Sequence, residues 1–416
     1  MAFTPAIPVI VLALVFLGIA IRRIGRFTFR IWQVMLMGAV AVLVTGQISL
    51  LSALRAINLD VMVFLFGMFV VGVALQESGY LLHLSSRISR RAKNPAQLLL
   101  LLIFSFGILS AFLMNDTLAI IGTPLVLYFA RANRISPKLL LLALAFSITT
   151  GSVMSPIGNP QNLLVALSGS SGNPFVTFVR YLAVPTVIGL VLVYLVLRIA
   201  FRKKSWERGL LFDHEAVKDA RLALISRVSL AILVALILVK IAGFFIGLGA
   251  WVSLPAIALL SALPILALSE RRVEIAKKVD WETLVFFAAM FVLMESVWES
   301  GFFESVILLT GGEITRISVI IGLSMTVSQF VSNVPFVALF LPAIARPGGS
   351  PAGLMALAAG STIAGNLSIL GAASNVIIIQ KAEKEGETLT FPEFVKIGIP
   401  LTLIQVAVYW LFLGTG

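Results

Sequence analysis

Ten apolar runs along the chain are long enough for helices that cross a lipid bilayer, which takes about 20 apolar residues. They lie near residues 5–21, 31–54, 61–79, 139–167, 175–200, 223–243, 252–269, 281–300, 352–380 and 391–413. Of the 416 residues 59% are hydrophobic and 12% are charged, against about 25% charged residues in soluble domains. This composition excludes a soluble enzyme, a disordered tail and a collagen-like rod, and it predicts an all-α polytopic membrane protein.

The basic residues give these spans a direction. The net charge of +12 requires no nucleic-acid partner, and none is expected, because Lys and Arg of membrane proteins accumulate in cytoplasmic loops. Basic clusters lie at residues 22–30, 87–93, 131–138, 202–208, 271–278 and 381–384. All of these fall inside if both termini lie on the non-cytoplasmic side, which predicts a multi-pass protein of the plasma (inner) membrane.

Two further apolar stretches, residues 98–130 and 316–345, do not fit the pattern of simple spans. The first is long for one helix and short for two spans with a turn, and basic clusters flank both of its ends. A segment that enters and leaves on one face is a re-entrant hairpin. Its non-helical tip is tolerated at membrane depth only where it is buried in protein or lines a cavity.

The two halves of the chain share motifs in the same order. Gly67–Tyr80 matches Ala289–Phe302, Phe112–Thr117 matches Phe330–Pro335, and Gly158–Asn162 matches Gly371–Asn375, at offsets of 222, 218 and 213 residues. We therefore predict two repeats, residues 1–200 and 223–416, joined by a cytoplasmic linker at 201–222. Each repeat has five transmembrane helices, one of them broken, and a re-entrant hairpin. Because five is odd, the second repeat is inverted, an arrangement typical of secondary transporters with a site at the repeat interface.

The tip of the first hairpin carries a carboxylate, Asp116, at membrane depth. An ionised carboxylate is costly there unless it is paired or hydrated, so a proton or cation carrier is the preferred interpretation. The alternative is a side chain that caps the second half-helix through its N-terminal amides. Asn115 and Asn333 occupy matched positions in the two tips, with Ser332 beside the second, and their amides can either form turns or bind a ligand.

Two spans are predicted to be broken at matched positions. Pro156 and Pro160 interrupt residues 149–162, because each proline removes an amide donor and clashes with the preceding turn. The partner segment, residues 360–375, is rich in Gly, Ser and Asn. Unwound backbone exposes carbonyls that can bind a cation and helix N-termini that favour an anion. A kink of small residues that serves packing alone is the alternative.

At these motifs the chain resembles the ion transporter superfamily that contains arsenite/antimonite efflux permeases, sodium/proton antiporters, the melanosomal P-protein group and divalent anion/sodium symporters. The resemblance rests on Asn115-Asp-Thr117, Ile157-Gly-Asn-Pro-Gln-Asn162, Ser332-Asn333 and Gly371-Ala-Ala-Ser-Asn375. It implies a homodimer in which a transport part holding both hairpins and both broken helices moves like an elevator against a scaffold.

Together the motifs and the resemblance assign candidate roles to the polar residues. Candidate ion-coupling residues are Asp116, Asn115, Gly158, Ser332, Asn333 and Gly371. Candidate substrate-binding residues are Asn115, Thr117, Asn159, Gln161, Asn162, Asn333, Ser374 and Asn375. In the dicarboxylate symporters both tips read Ser-Asn-Thr, whereas here Met114 and Asp116 flank Asn115 and Val334 follows Asn333. The Asn-Asp pair resembles the arsenite permease branch instead.

We therefore expect a secondary active transporter of a small inorganic anion or metalloid oxyacid, coupled to protons or sodium. Other interpretations stay open: a sodium/dicarboxylate symporter, a sodium/proton antiporter of the same fold, and a passive channel. No enzyme is expected, since an aspartyl protease needs two Asp at membrane depth and a serine protease needs a membrane His. No cofactor and no metal other than sodium is expected. The chain lacks a nucleotide-binding loop, so a primary pump would need a separate ATPase subunit.

Overall fold

The computed structural model describes residues 7–21, 23–24, 27–28, 30–80, 83, 91–168, 173–202, 219–246, 252–302, 305, 315–345 and 350–414. Parts of the predicted basic clusters, at residues 22, 26, 87, 90 and 203–208, lie outside these ranges. So does most of the predicted linker, residues 203–218. The described chain is helical except for a short antiparallel pair of strands, β1 (Arg23–Ile24) and β2 (Phe27–Thr28).

The described part of the first half is built from helices that follow one another along the chain. They are α1 Ile7–Ile21, α2 Ile31–Val44, α3 Leu50–Ala56, α4 Leu59–Ser78, α5 Pro95–Leu109, α6 Asn115–Ala132, α7 Pro137–Ser152, α8 Pro160–Leu167 and α9 Pro174–Ala200. Three of them begin at an Asn-Pro pair. The side-chain oxygens of Asn94, Asn159 and Asn173 accept first-turn backbone N–H groups at 2.9, 2.9 and 3.1 Å. The proline that follows each asparagine suits the first helical position, where an N–H has no intrahelical partner.

The second half repeats this sequence of elements. Its helices are α10 Ala220–Phe245, α11 Leu254–Leu268, α12 Arg272–Lys278, α13 Trp281–Glu299, α14 Ile317–Val331, α15 Asn333–Ile344, α16 Pro351–Ile363, α17 Ala373–Lys384 and α18 Phe391–Gly414, with 3-10 turns at Ala364–Asn366 and Ile369–Gly371. Among the described helices, α4, α9, α10, α13 and α18 are long and apolar enough to cross a membrane. The chain is thus a polytopic, all-helical protein of the membrane type.

Four apolar segments are interrupted near their middles. Residues 110–114 separate α5 from α6, Ser332 alone separates α14 from α15, residues 153–159 separate α7 from α8, and the two 3-10 turns separate α16 from α17. The single span expected at 31–54 is also divided. There α2 ends at Val44, and Gly46, with a φ of 70°, turns the chain toward the separate helix α3. Glycine suits this turn because left-handed backbone costs it nothing.

The main contacts that helices of one half make with the other half have counterparts, in which the equivalent helices of the two halves have changed places. α4 packs against α11 of the other half, and α13, which follows α11 and α12, packs against α2. Likewise α6 contacts α17, and α15 contacts α8. Within each half α5 packs on α7 and α14 on α16, while α9 and α18 pack on each other. The four interruptions consequently lie together in the interior of the molecule, each with its counterpart from the other half close by.

Candidate functional site

A cavity of about 710 Å³ lies where the N-termini of six helices meet. Three of these helices come from each half: α2, α6 and α8 from the first, and α13, α15 and α17 from the second. Four of the N-termini belong to the helices that follow the interruptions. Because the first N–H groups of a helix have no intrahelical acceptor and carry the positive end of the dipole, these termini favour electronegative atoms.

Asp116 lies in the first turn of α6 and lines this cavity. Its carboxylate has no hydrogen-bond or ion-pair partner among the described residues, and a second carboxylate, Asp280, lines the same cavity. Asp280 caps α13, accepting the backbone N–H of Thr283 at 3.0 Å and its hydroxyl at 2.7 Å. Asp116 is therefore the carboxylate of the described cavity wall that neither caps a helix nor pairs with a cation.

Asn115 ties the first interruption to the second. Its backbone N–H donates to the carbonyl of Gly158 at 3.2 Å. With its side-chain nitrogen turned toward carbonyl oxygens, it donates to Ile148 at 3.0 Å and Gly158 at 3.2 Å, and its oxygen accepts from the hydroxyl of Ser152 at 3.1 Å. This orientation is preferred because the opposite one sets the side-chain oxygen against two carbonyls. Asn115 lines the cavity, but its polar atoms are engaged in holding the tip.

Ser332 is the only residue between α14 and α15, and it has a φ of 71° and a ψ of 149°. Non-glycine residues rarely adopt this conformation, and holding one there costs on the order of 1–3 kcal/mol. This strained conformation occurs at the cavity wall, which Ser332 and the next residue, Asn333, both line. Backbone strain at a cavity wall is typical of ligand-binding positions, where the surrounding packing maintains it.

Asn162 and Asn375 lie behind the cavity wall and bind the interruptions themselves. The amide nitrogen of Asn162 donates to the carbonyls of Ser152 and Ser155, both at 3.0 Å. Asn375 donates in the same way to the carbonyls 10 and 7 residues before it, at 2.7 and 3.3 Å. The two halves thus use one device, an asparagine in the first turn of the second half-helix that satisfies carbonyls released by the break.

The remaining predicted residues divide between the cavity and its support. Asn159, Gln161 and Ser374 line the cavity. The amide of Asn159 is also shared with the hydroxyls of Ser152 at 3.0 Å and Thr362 at 3.2 Å, the latter from the other half. Thr117, Gly158 and Gly371 do not line the cavity: Thr117 packs against Gly72 of α4, and a Cβ at either glycine would press on a backbone carbonyl.

The mouth of the cavity has charged residues that the motif comparison did not single out. Arg30, just before α2, forms an ion pair with Glu282 of α13, and both side chains are at least half exposed. These residues and Asp280 directly adjoin apolar runs, so in the sequence they look like charges that orient spans. The described cavity wall therefore contains one guanidinium against three carboxylates.

Three residues of the cavity wall each have one buried polar atom without a partner among the described residues. These atoms are the indole Nε1 of Trp32, the side-chain oxygen of Asn333 and the hydroxyl of Ser374. Buried polar groups are nearly always hydrogen-bonded, so an unpartnered one at a cavity wall calls for a ligand or water. The indole N–H is a donor, the amide oxygen is an acceptor, and the hydroxyl can act as both.

The helical membrane fold and a polar cavity walled by helix termini of both halves define a transporter. The model of the citrate transporter family, CitMHS, matches residues 14–352, and the chain belongs to that family. It is thereby a secondary transporter of the ion transporter superfamily, as the sequence resemblance predicted.

Relatives across bacteria, plants and animals share most of this chain. An uncharacterized transporter of Mycobacterium bovis is 28% identical, over 92% of this chain and 92% of its own length. The silicon efflux transporter LSI3 of Oryza sativa subsp. japonica is 26% identical, with 90% of each chain covered. A crystal structure of the YdaH transporter of Alcanivorax borkumensis has the same fold, with a TM-score of 0.58, 16% identity, and 88% and 87% of the two chains covered.

We predict that Asn162→Ala lowers stability strongly, because it leaves the buried carbonyl of Ser155 without a donor among the described residues and leaves that of Ser152 with one donor instead of two. An unsatisfied buried polar group costs about 1–3 kcal/mol, so the thermal midpoint of the purified protein should fall clearly. Ser374→Ala is the matched control: it also lies in the first turn of a helix that follows a break, but its hydroxyl has no partner among the described residues. An Asn162→Ala protein as stable as Ser374→Ala would contradict the supporting role.

Proposed function

We propose that the chain carries a small, undissociated metalloid oxyacid, such as arsenous or silicic acid, across the membrane in exchange for protons bound at Asp116. The observation that carries this proposal is the set of buried polar atoms without partners on three residues of the cavity wall, Trp32, Asn333 and Ser374. A ligand that satisfies all three must both donate and accept hydrogen bonds, as the hydroxyl groups of an undissociated oxyacid do.

The charges of the cavity wall support an uncharged substrate. Three carboxylates face one guanidinium, and that guanidinium is already paired with Glu282. Two unit charges 4 Å apart interact by about 4 kcal/mol at the effective dielectric of a protein surface, so a polyanion would meet a large repulsion. Arsenous and silicic acids are uncharged at neutral pH, and the helix N-termini can still bind their oxygen lone pairs.

A relative supports the same substrate class. The name of the rice protein, a silicon efflux transporter, fits an uncharged hydroxylated acid as substrate. The family model is described as a citrate transporter, and this favours a second candidate, the transport of a carboxylate. For a carboxylate, the four helix N-termini that follow the interruptions would have to outweigh the three wall carboxylates. Sodium/proton exchange without a carried acid is the remaining alternative within this fold.

The reciprocal packing supports a mechanism built on two inverted repeats. If α5–α6 and α14–α15 are re-entrant hairpins, they and the broken pairs α7–α8 and α16–α17 form the moving part, while α2, α4, α11 and α13 form the scaffold. The cavity is then walled by both parts, since α2 and α13 contribute its mouth. Sliding of one part against the other would carry the site across the membrane, and a homodimer would hold the scaffold still.

The orientation of the mouth follows from the positive-inside rule. Arg30 and the ion pair with Glu282 lie at the end of the helices that carries the basic cluster 271–278. If this end faces the cytoplasm of the plasma membrane, the structure is the inward-open state, and both termini lie outside.

We predict that Asp116→Asn abolishes transport driven by a pH gradient, because an amide cannot exchange a proton at neutral pH. Uptake into proteoliposomes should fall at least about tenfold, with the thermal midpoint of the protein unchanged. Asp60→Asn is the matched control, since Asp60 is also in the first turn of a helix but does not line the cavity. Full pH-driven uptake by the Asp116 variant, or uptake driven by sodium alone in the unsubstituted protein, would contradict proton coupling.

We also predict that Trp32→Phe weakens silicic acid binding about 5- to 10-fold, the loss expected for one neutral hydrogen bond of about 1 kcal/mol. Phenylalanine keeps the aromatic volume and removes only the indole N–H. Ligand-induced thermal stabilisation measures the affinity, with Trp410→Phe, on an exposed face of α18, as the control. Stabilisation of the unsubstituted protein by citrate but not by silicic acid would replace this substrate class with the carboxylate alternative.

A further inference from the structure

The short helix α12 has charged residues on two faces, and the two faces differ in whether their cations are paired with carboxylates of the described residues. On its inner face, Arg271, just before the helix, and Lys278 both bind Glu77 of α4, at 3.1 and 2.7 Å, and Glu274, at 2.8 Å each. The hydrogen bonds from Arg271 and then Lys278 hold the pKa of the Glu274 carboxyl down at about 2. These four groups form ion pairs with one another, and Ile275 on the same helix is buried.

The outer face of α12 carries two cations without carboxylate partners in the described part of the chain. Arg272 and Lys277 flank Val273 and Ala276, and these four positions share one side of the helix because they are spaced at i, i+1, i+4 and i+5. Val273 is 60% exposed. The carboxylates nearby in sequence have other partners, so they do not neutralise this pair. Glu274 is bound on the inner face, Glu270 pairs with Arg221, Glu282 pairs with Arg30, and Asp280 caps α13.

A groove of about 380 Å³ lies beside this face, between the end of α11 and the start of α13. Its wall is formed by Leu266, Trp281 and the four outer-face residues of α12. Trp281 donates its indole N–H to the carbonyl of Ala276 at 3.0 Å, and its ring lies 5.9 Å from that of Phe66 on α4. A tryptophan with one polar contact and an exposed ring is typical of the membrane–water interface.

The apolar surface continues from the groove along α11. Leu259 and Leu263, 44% and 54% exposed, precede Leu266 by seven and three residues, which places all three on one side of the helix. The groove therefore has cations at its charged end and an apolar track leading toward membrane depth. A molecule that matches both needs an anionic head and a hydrocarbon chain.

We propose that the groove binds one anionic phospholipid, with its phosphate between Arg272 and Lys277 and an acyl chain along Val273, Leu266 and Leu263. Basic pockets between membrane helices bind anionic headgroups in this way. The N-terminus of α13 forms part of the cavity mouth, and α13 starts three residues after α12. A lipid bound beside α12 would therefore stabilise the position of the mouth. Binding of the lipid does not depend on what the cavity carries.

The test is thermal stabilisation of the detergent-purified full chain by dioleoyl-phosphatidylglycerol. Dioleoyl-phosphatidylcholine and inorganic phosphate are tested at matched concentration. The first measures the contribution of the acyl chains and the second that of the phosphate. Each cation near an anionic lipid contributes about 1 kcal/mol. The double substitution Arg272→Gln and Lys277→Gln should therefore weaken phosphatidylglycerol binding by about 2 kcal/mol, which is about 30-fold at 1.4 kcal/mol per tenfold. Neither phosphatidylcholine nor phosphate should reproduce the stabilisation.

The matched control is Lys381→Gln with Lys384→Gln, which removes two positive charges from the last turn of α17 and should leave the stabilisation intact. Val273→Gln keeps both cations, disturbs the apolar track, and should weaken binding on its own; it serves as the test if the double variant does not fold. Equal losses in the control and the double variant, or equal stabilisation by phosphatidylcholine, would overturn the proposal.

Discussion

The rest of the structure depends on how the backbone is satisfied where helices break in the interior of a membrane protein. Each interruption frees carbonyl and amide groups that lipid cannot bind, and each must find a partner inside the protein. Asn162 and Asn375 solve this identically, each donating to carbonyls 10 and 7 residues before it. The carbonyls are bound from within, and the N-termini that follow the breaks face one cavity.

The way the breaks are supported explains why the cavity is polar and yet poor in free cations. Asparagine, serine and threonine hold the interruptions together, and contacts such as that from Asn159 to Thr362 at 3.2 Å join the two halves. The helix termini then provide the positive potential that a lysine or arginine would otherwise provide. The described ionised groups on the wall are mainly carboxylates, which opposes a polyanion but leaves room for neutral hydroxylated ligands.

Much of the site could be predicted because its polar residues stand out in apolar surroundings. Asp116, Asn333 and Ser374 were found from matched motifs, and the structure brings them to one cavity. The contribution of α2 and α13 was not found. Arg30 and Asp280 directly precede apolar runs, where charges also serve to orient spans, and Trp32 looks like an interfacial anchor. Only packing of the two halves reveals that these residues face the same cavity.

For a similar reason, asparagines that support a break and asparagines that line the cavity could not be separated in the sequence. Asn159 and Asn162 lie three residues apart in one motif, yet one lines the cavity and the other faces the break behind it. The difference arises because Asn159 caps α8 and has extended backbone, whereas Asn162 lies inside the first turn of that helix. A motif match fixes which residues are polar at a break, whereas the direction of each side chain depends on how the preceding segment unwinds.

The central claim is that helix termini of both halves form one substrate site, and cysteine protection tests it most directly. The chain has no Cys, so Pro160→Cys and Ala373→Cys each introduce a single thiol at equivalent positions of the two halves, on the cavity wall. Labelling with a membrane-impermeant thiol reagent should be slowed in both variants by silicic acid, which does not react with thiols. Protection in neither variant, or in only one half, would contradict the account.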